Sequence, residues 1–202
     1  MSAEGIRRDE IDVFVLAGGR SSRMGRDKAR LELDGLPLAV VIARRFAPHV
    51  RSVRLVAKPD SGIEDLGVPV VHDAAPLPAL VHGLAVALAA PGSEWRFVLA
   101  CDMPAVSVAL LEQLWVVAHA ARAPGSVARL PECADPEPLP SLWHRSIASR
   151  CGASWGRAAR DWVRAAGLAT WDVPPEHREA LVQCNTPAEW AAWLGRRHRE
   201  DS

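Results

Sequence analysis

The chain has 202 residues, 49% of them hydrophobic, and its 24 basic and 24 acidic residues cancel to zero formal charge. That length suits a single domain, 1–202, and that composition can bury a core. The even balance, without blocks of one sign, argues against a nucleic-acid-binding surface or a charged interaction tail. Five cations nevertheless crowd one short segment (Arg20, Arg23, Arg26, Lys28 and Arg30), and a focused positive patch can hold a polyanion.

Taken in chain order, the apolar run 11–17 (IDVFVLA) reads as a buried strand. A loop rich in Gly, Ser and Arg follows. Residues 31–34 alternate apolar and acidic, and Asp34-Gly35 marks a turn. Pro37 suits the first turn of a helix to about Ala47. Strands are expected at 50–57 and 68–71, a helix over 79–89, and the clearest buried strand at 95–101 (WRFVLAC). Pro104 is expected to start a helix to about Ala121. Further strands are expected at 126–130, 140–143 and 168–173. Helices are expected over 154–166, with Trp155 and Trp162 inward, and from Pro187 to about Arg197, with Trp190 and Trp193 on one face. Strands alternating with helices predict an α/β fold, a mostly parallel sheet with helices on both faces. Ligands in such sheets bind beyond the carboxyl ends of the strands. The loop 18–28 and Asp102 both follow strands directly, so they are expected on one rim.

The four cysteines, Cys101, Cys133, Cys151 and Cys184, are scattered without a CxxC pair. This indicates neither a zinc site nor a disulfide framework, and fits reduced thiols in a cytoplasmic protein. The N-terminus, MSAEGIRRDEID, lacks the apolar core of a signal peptide. The longest apolar region, 97–121, is interrupted by Asp102, Pro104, Glu112 and Gln113, so no membrane span is expected.

Residues 16–28 read LAGGRSSRMGRDK. Gly18 and Gly19 remove side chains just after a strand, letting backbone amides approach a phosphate or base edge. Ser21 and Ser22 add hydroxyls. Arg23 offers a planar fork to a triphosphate and Lys28 a point charge. The run is neither GxxxxGK[ST], because Gly25 precedes Arg26, nor GxGxxG. On composition alone a solvated surface turn competes with this reading.

This loop resembles the signature of the molybdenum cofactor guanylyltransferases, within the superfamily of Rossmann-like nucleotidyltransferases. The resemblance implies that the backbone of Leu16, Ala17, Gly18 and Gly19 holds the nucleoside, while Arg23 and Lys28 neutralise the triphosphate. Related cytidylyltransferases tend to have LAAG, so LAGG implies GTP rather than CTP.

Asp102, in CDMP after the strand at 95–101, either holds Mg²⁺ as a hard oxygen ligand or caps a helix starting near Pro104. These two readings are even on the residues alone; the resemblance, through CDxP, implies the metal. Asp73 alone reads as a turn residue, and the resemblance implies nucleotide contact. Lys58 stands where the family often has an Asn at the ribose, and no role is assigned to it. Ala75-Pro76-Leu77 replaces the family's Gly-Pro-Leu, while Gly83-Leu84 fits it. Near the end, Cys184-Asn185-Thr186-Pro187 resembles the family's NxNTP with its first Asn lost. Thr186 and Pro187 read as an ordinary helix start, and Asn185 is a candidate contact to the metal or the acceptor phosphate.

The resemblance thus implies a Mg²⁺-dependent transfer of GMP from GTP to molybdenum-molybdopterin, with Arg23, Lys28 and Asp102 catalytic. It divides the chain into a nucleotide-binding half, about 11–122, and an acceptor-binding half, about 123–199, whose PLPSLWHR at 138–145 is a loose match to the segment facing the pterin. Partners would be GTP, the molybdopterin-type cofactor and, transiently, cofactor-synthesis or acceptor proteins. A monomer or weak oligomer is expected, with no nucleic acid and no membrane. Alternatives are a CTP-dependent or sugar-phosphate nucleotidyltransferase, or a non-catalytic nucleotide-binding relative.

Overall fold

A computed structural model describes residues 6–17, 27–75, 80–150 and 158–200. Its main sheet has seven strands: β1 (Ile11–Leu16), β4 (Ser52–Ala57), β5 (Val70–His72), β6 (Trp95–Ala100), β7 (Gly125–Arg129), β8 (Ser141–His144) and β9 (Ala169–Asp172). Two-residue strands β2 (Glu32–Leu33) and β3 (Leu36–Pro37) form a separate hairpin. The helices are α1 (Leu38–Phe46), α2 (Leu80–Ala89), α3 (Val108–Ala120), α4 (Ala159–Ala166) and α5 (Pro187–Glu200).

The strand order is β5-β4-β1-β6-β8-β7-β9. β8 runs antiparallel to both neighbours, and every other pairing in this sheet is parallel. The expected Rossmann-like, mostly parallel sheet is therefore present, with one reversed strand inside it. The central strands are apolar on both faces, as a sheet covered twice requires. Ile11, Val13, Val15, Phe97 and Leu99 join the core beneath α1, α3 and Trp193 of α5. Phe14 and Val98 point the other way, into the core beneath α2 and α4. The period-2 alternation of each strand thus feeds two helical layers.

Local chemistry explains where the elements start. Asp34 (φ 53°) and Gly35 (φ 75°) both take left-handed backbone, the turn that a two-residue hairpin needs. Pro37 precedes α1 rather than opening it. Pro69 cannot donate a hydrogen bond, and β5 begins after it at Val70, two residues later than the expected 68–71. The helix expected from Pro104 begins instead at Val108, because Ser107 is extended and its hydroxyl accepts from the Leu110 N–H at 3.2 Å. Residues 103–106 form a turn, closed by the Val106 N–H on the Met103 carbonyl at 3.3 Å. Asp102 therefore does not cap that helix. α4 starts at Ala159, after extended Ala158, and is shorter than the expected 154–166; Trp155 lies outside the described residues, and Trp162 is buried. A 3-10 stretch, Pro175–Leu181, which the pattern of residues did not suggest, links β9 to α5.

Among the described residues no helix is long and apolar enough to cross a membrane.

Candidate active site

The parallel strands β1, β4, β5 and β6 all end on one rim, and each hands over there to a functional candidate. Hydrogen bonds across the strand ends fix this rim. The Ala17 N–H donates to the Val56 carbonyl at 2.8 Å, the Cys101 N–H to the Leu16 carbonyl at 3.1 Å, and the Asp73 N–H to the Ala57 carbonyl at 2.7 Å. Leu16 and Ala17 thus sit in the middle, with Asp73 and Asp102 on opposite sides. Gly18, Gly19 and Arg23 lie outside the described residues. The α2 helix reaches close to this centre because residue 83 is Gly: a Cβ there would lie 3.3 Å from a Leu16 methyl.

Beyond β6, three side chains from distant parts of the chain meet. The Lys28 ammonium donates to Asp102 Oδ2 at 2.7 Å and to Asn185 Oδ1 at 2.7 Å. The Lys28 and Asp102 side chains are only 17% and 13% exposed, so water screens the pair weakly. Each member has its own support. Lys28 opens a 3-10 turn, Lys28–Arg30, held by Asp27 Oδ1 accepting from the Ala29 N–H at 2.9 Å. Asp102 follows β6 directly after the buried Cys101. Asn185 is brought in because the Cys184 N–H donates to the Asp102 carbonyl at 2.8 Å. Glu189, one turn into α5, accepts from the Asn185 and Thr186 N–H groups at 2.7 and 2.9 Å, while the Thr186 hydroxyl accepts from the Glu189 N–H at 3.2 Å. This is a capping box, so the ordinary helix-start reading of Thr186-Pro187 holds, and the same cap orients Asn185.

Asp102 Oδ1 is buried and has no hydrogen-bond partner among the described residues. An orphaned carboxylate oxygen is costly unless something else satisfies it. The Asn185 amide oxygen shares the Lys28 ammonium with the other oxygen of this carboxylate. Among the described residues no three His, Cys, Asp or Glu side chains group as a metal cage. A cation at this place would take one carboxylate from the protein and the rest of its shell from substrate and water, the usual habit of a small hard ion.

Beyond β4 and β5 stands a second lysine–aspartate pair. Lys58 donates to Asp73 Oδ2 at 2.8 Å and to the Ala75 carbonyl at 2.6 Å, and Asp73 Oδ1 accepts from the Ala75 N–H at 3.0 Å. Sequence reasoning singled out Asp73 and passed over Lys58. The signal was present: Ala57 and His72 are register partners, so the next residue of each strand carries an opposite charge to its neighbour. It becomes visible only once β4 and β5 are known to be adjacent.

Neither thiol near Asp102 can serve as a nucleophile. Burial, and then the negative charge of Asp102, push the Cys184 thiol up to about 11 and Cys101 beyond the ordinary thiol range. Both stay protonated at neutral pH, and the thiolate is the reactive form. His144 packs edge-on against Trp95 and faces Glu94 at 3.2 Å, away from this constellation in the fold, as a packing residue does.

Comparison with known proteins places the chain in a family. The MobA-like NTP transferase domain matches residues 13–171. The chain belongs to the MobA-like NTP transferase family. One similar protein, described as a probable molybdenum cofactor guanylyltransferase from Synechococcus elongatus, is 34% identical over 89% of this chain and 95% of its own. Another of the same description, from a Nostoc species, is 31% identical over 93% and 92%. Among solved structures, molybdopterin-guanine dinucleotide biosynthesis protein A from Archaeoglobus fulgidus superposes with a TM-score of 0.73 at 22% identity, covering 93% of this chain and 99% of that one. A nucleotidyl transferase from Methanothermobacter thermautotrophicus gives 0.72 at 20%, over 95% and 99%. These two share the fold. In this MobA-like chain, Asn185 lies beyond the matched segment yet completes the Lys28–Asp102 contact.

Proposed function

We propose that this protein transfers GMP from GTP to the terminal phosphate of molybdenum-molybdopterin, forming molybdopterin guanine dinucleotide and releasing pyrophosphate. The observation that carries this reading is the Lys28–Asp102–Asn185 constellation on the carboxyl rim of the sheet, in a chain whose relatives over nearly its full length are described as guanylyltransferases.

In this reaction an acceptor phosphate oxygen forms a bond to the α-phosphorus of GTP, and the bond from that phosphorus to the bridging oxygen of pyrophosphate breaks. A phosphate nucleophile is largely deprotonated at neutral pH, so the site needs no general base. The main obstacle is repulsion between anions. The Lys28 ammonium supplies positive charge at the reacting end, preset by Asp102 and Asn185 so that little reorganisation is needed when a triphosphate arrives. Arg23 adds a second cation from the loop. The backbone of Leu16, Ala17, Gly18 and Gly19 holds the nucleoside, and Asp73 accepts a hydrogen bond from it. These groups together orient the α-phosphorus towards the acceptor. Asn185 faces the acceptor side.

The residues present fit Mg²⁺: Asp102 Oδ1 is a buried oxygen lacking a partner among the described residues, and Asn185 adds a neutral oxygen. Bound at Asp102, Mg²⁺ would contribute the further positive charge that lets two phosphates approach. A non-catalytic nucleotide-binding protein would have no use for a buried lysine held against a carboxylate with an unpartnered oxygen, which disfavours that alternative.

The test is pyrophosphate release by the purified protein with the molybdenum cofactor, with GTP, CTP or ATP, with and without Mg²⁺. Release with GTP and Mg²⁺ alone, with guanylated pterin found by mass, is expected. Release with CTP would overturn the base assignment, and no release with any nucleotide would overturn the transfer reaction itself.

A further inference from the structure

Lys58 is one of two lysines on the rim that hold an aspartate in a largely buried ion pair, and the function described so far uses only the other. Its side chain is 17% exposed and that of Asp73 9%. The Lys58 ammonium closes a small ring: it binds Asp73 Oδ2, Asp73 Oδ1 binds the Ala75 N–H, and the Ala75 carbonyl returns to the ammonium. The turn at 73–75 is thereby held at its carboxylate and at its backbone by one side chain. Without that ammonium the Asp73 carboxylate would lose its 2.8 Å ion-pair partner in a place with little water, and a buried charge left without its partner turns aside from its position.

Strand spacing separates this device from the reacting end. β5 and β6 stand three places apart in the order β5-β4-β1-β6. At about 4.8 Å per place, Asp73 is roughly 14 Å from Asp102. A triphosphate whose reacting end lies at Asp102 reaches Asp73 only with its nucleoside. An interaction there is made alike in the bound and the transition states, so it changes affinity and leaves the chemical step alone.

We propose that Lys58 is a positioning residue for nucleoside binding: it fixes Asp73 as a charged, correctly aimed acceptor and so sets the affinity for GTP without taking part in transfer. The proposal rests on the nucleotidyl-transfer reading above and adds to it a residue to which the sequence assigned no role.

The experiment measures the GTP dissociation constant of the full chain by calorimetry, and KM and kcat by pyrophosphate release, for wild type, Lys58→Met, Lys58→Arg, Asp73→Asn and the Lys58→Met/Asp73→Asn double variant. Lys58→Met should weaken GTP binding and raise KM by at least about tenfold, the effect of losing one charge-assisted hydrogen bond, with kcat within about twofold. Lys58→Arg should recover most of the affinity. The double variant carries no buried charge at this place, so it keeps the test valid if Lys58→Met alone folds poorly. It should bind GTP no worse than Asp73→Asn, because the lysine acts through the aspartate. Unchanged GTP affinity in Lys58→Met, a fall in kcat at constant KM, or a double variant that loses the product of the two single effects would overturn the proposal. Wild type that binds no nucleotide would instead overturn the functional reading on which it stands.

Discussion

At the residue scale, the most exacting change is Asp102→Asn, which keeps shape and removes charge. With Lys28 still present and the turn at 103–106 held by its own backbone bonds, the fold should survive, with an unchanged circular dichroism spectrum. Turnover should fall by about a hundredfold or more, the usual effect of removing one preorganised charge from a transfer site. Full activity would sink the assignment of Asp102. Asn185→Ala is the milder companion: Lys28 loses its 2.7 Å amide contact but keeps Asp102. kcat/KM should drop by about tenfold, with a melting temperature close to wild type; an unaffected rate would make Asn185 a helix-start residue and nothing more. Asp102 and Lys28 were legible in the sequence because both lie in short motifs next to strands. Their contact was not, because 74 residues separate them.

At the element scale, α5 both caps itself and delivers Asn185. Thr186→Ala removes the hydroxyl that accepts from the Glu189 N–H and should cost about 1 kcal/mol of stability in a urea titration. The same substitution should lower the rate, since Asn185 hangs from that cap; loss of stability with a fully retained rate would separate the two. At the other end of the sheet, the loop before β6 closes over β1. Asp12 is fully buried there and is held by the Ser52 hydroxyl at 2.6 Å and the Ser93 N–H at 2.7 Å, with Arg51 and Arg54 each at 3.3 Å. Gly92, at φ 153°, leaves no room for a side chain, because a Cβ would collide with the Asp12 carboxylate. Gly92→Ala should therefore destabilise the protein by about 1–3 kcal/mol. This end lies away from the rim of the candidate site, so the rate per folded molecule should stay at the wild-type level, and a large loss of specific activity would contradict that separation. Nothing in the sequence pattern marked this cluster, since Asp12 sits inside an apolar run and its partners come from two other segments.

At the scale of the whole molecule, the sheet runs without interruption from β5 to β9, because β6 pairs with β8 and β8 with β7. The C-terminal segment then returns across the chain. Val173, Ala180, Leu181, Cys184 and Trp193 belong to the same core as β1, α1 and α3, and Arg197 grips Asp34 of the β2–β3 turn with two hydrogen bonds at 3.0 and 2.8 Å. A chain ending at residue 173 retains the matched family segment, 13–171, but exposes that core and loses Asn185. It should lose its cooperative thermal transition and its pyrophosphate release; a stable, active fragment would show that the return is dispensable.

The sequence by itself determined the α/β class, the places of the central strands and the chemical character of the loop 16–28. Each of these depends on local information: apolar runs of strand length, punctuation by Gly and Pro, and a contiguous motif. Helix starts were less legible where several capping residues competed, as at Asp102, Pro104 and Ser107, because hydrogen-bond geometry decides which of them caps. The tertiary structure alone decided that β8 runs against its neighbours, that Lys28 meets both Asp102 and Asn185, and that Lys58 braces Asp73. Those outcomes depend on which strands lie side by side and on how chain ends 157 residues apart close on one another, and neither strand order nor long-range closure is written in any local stretch of residues.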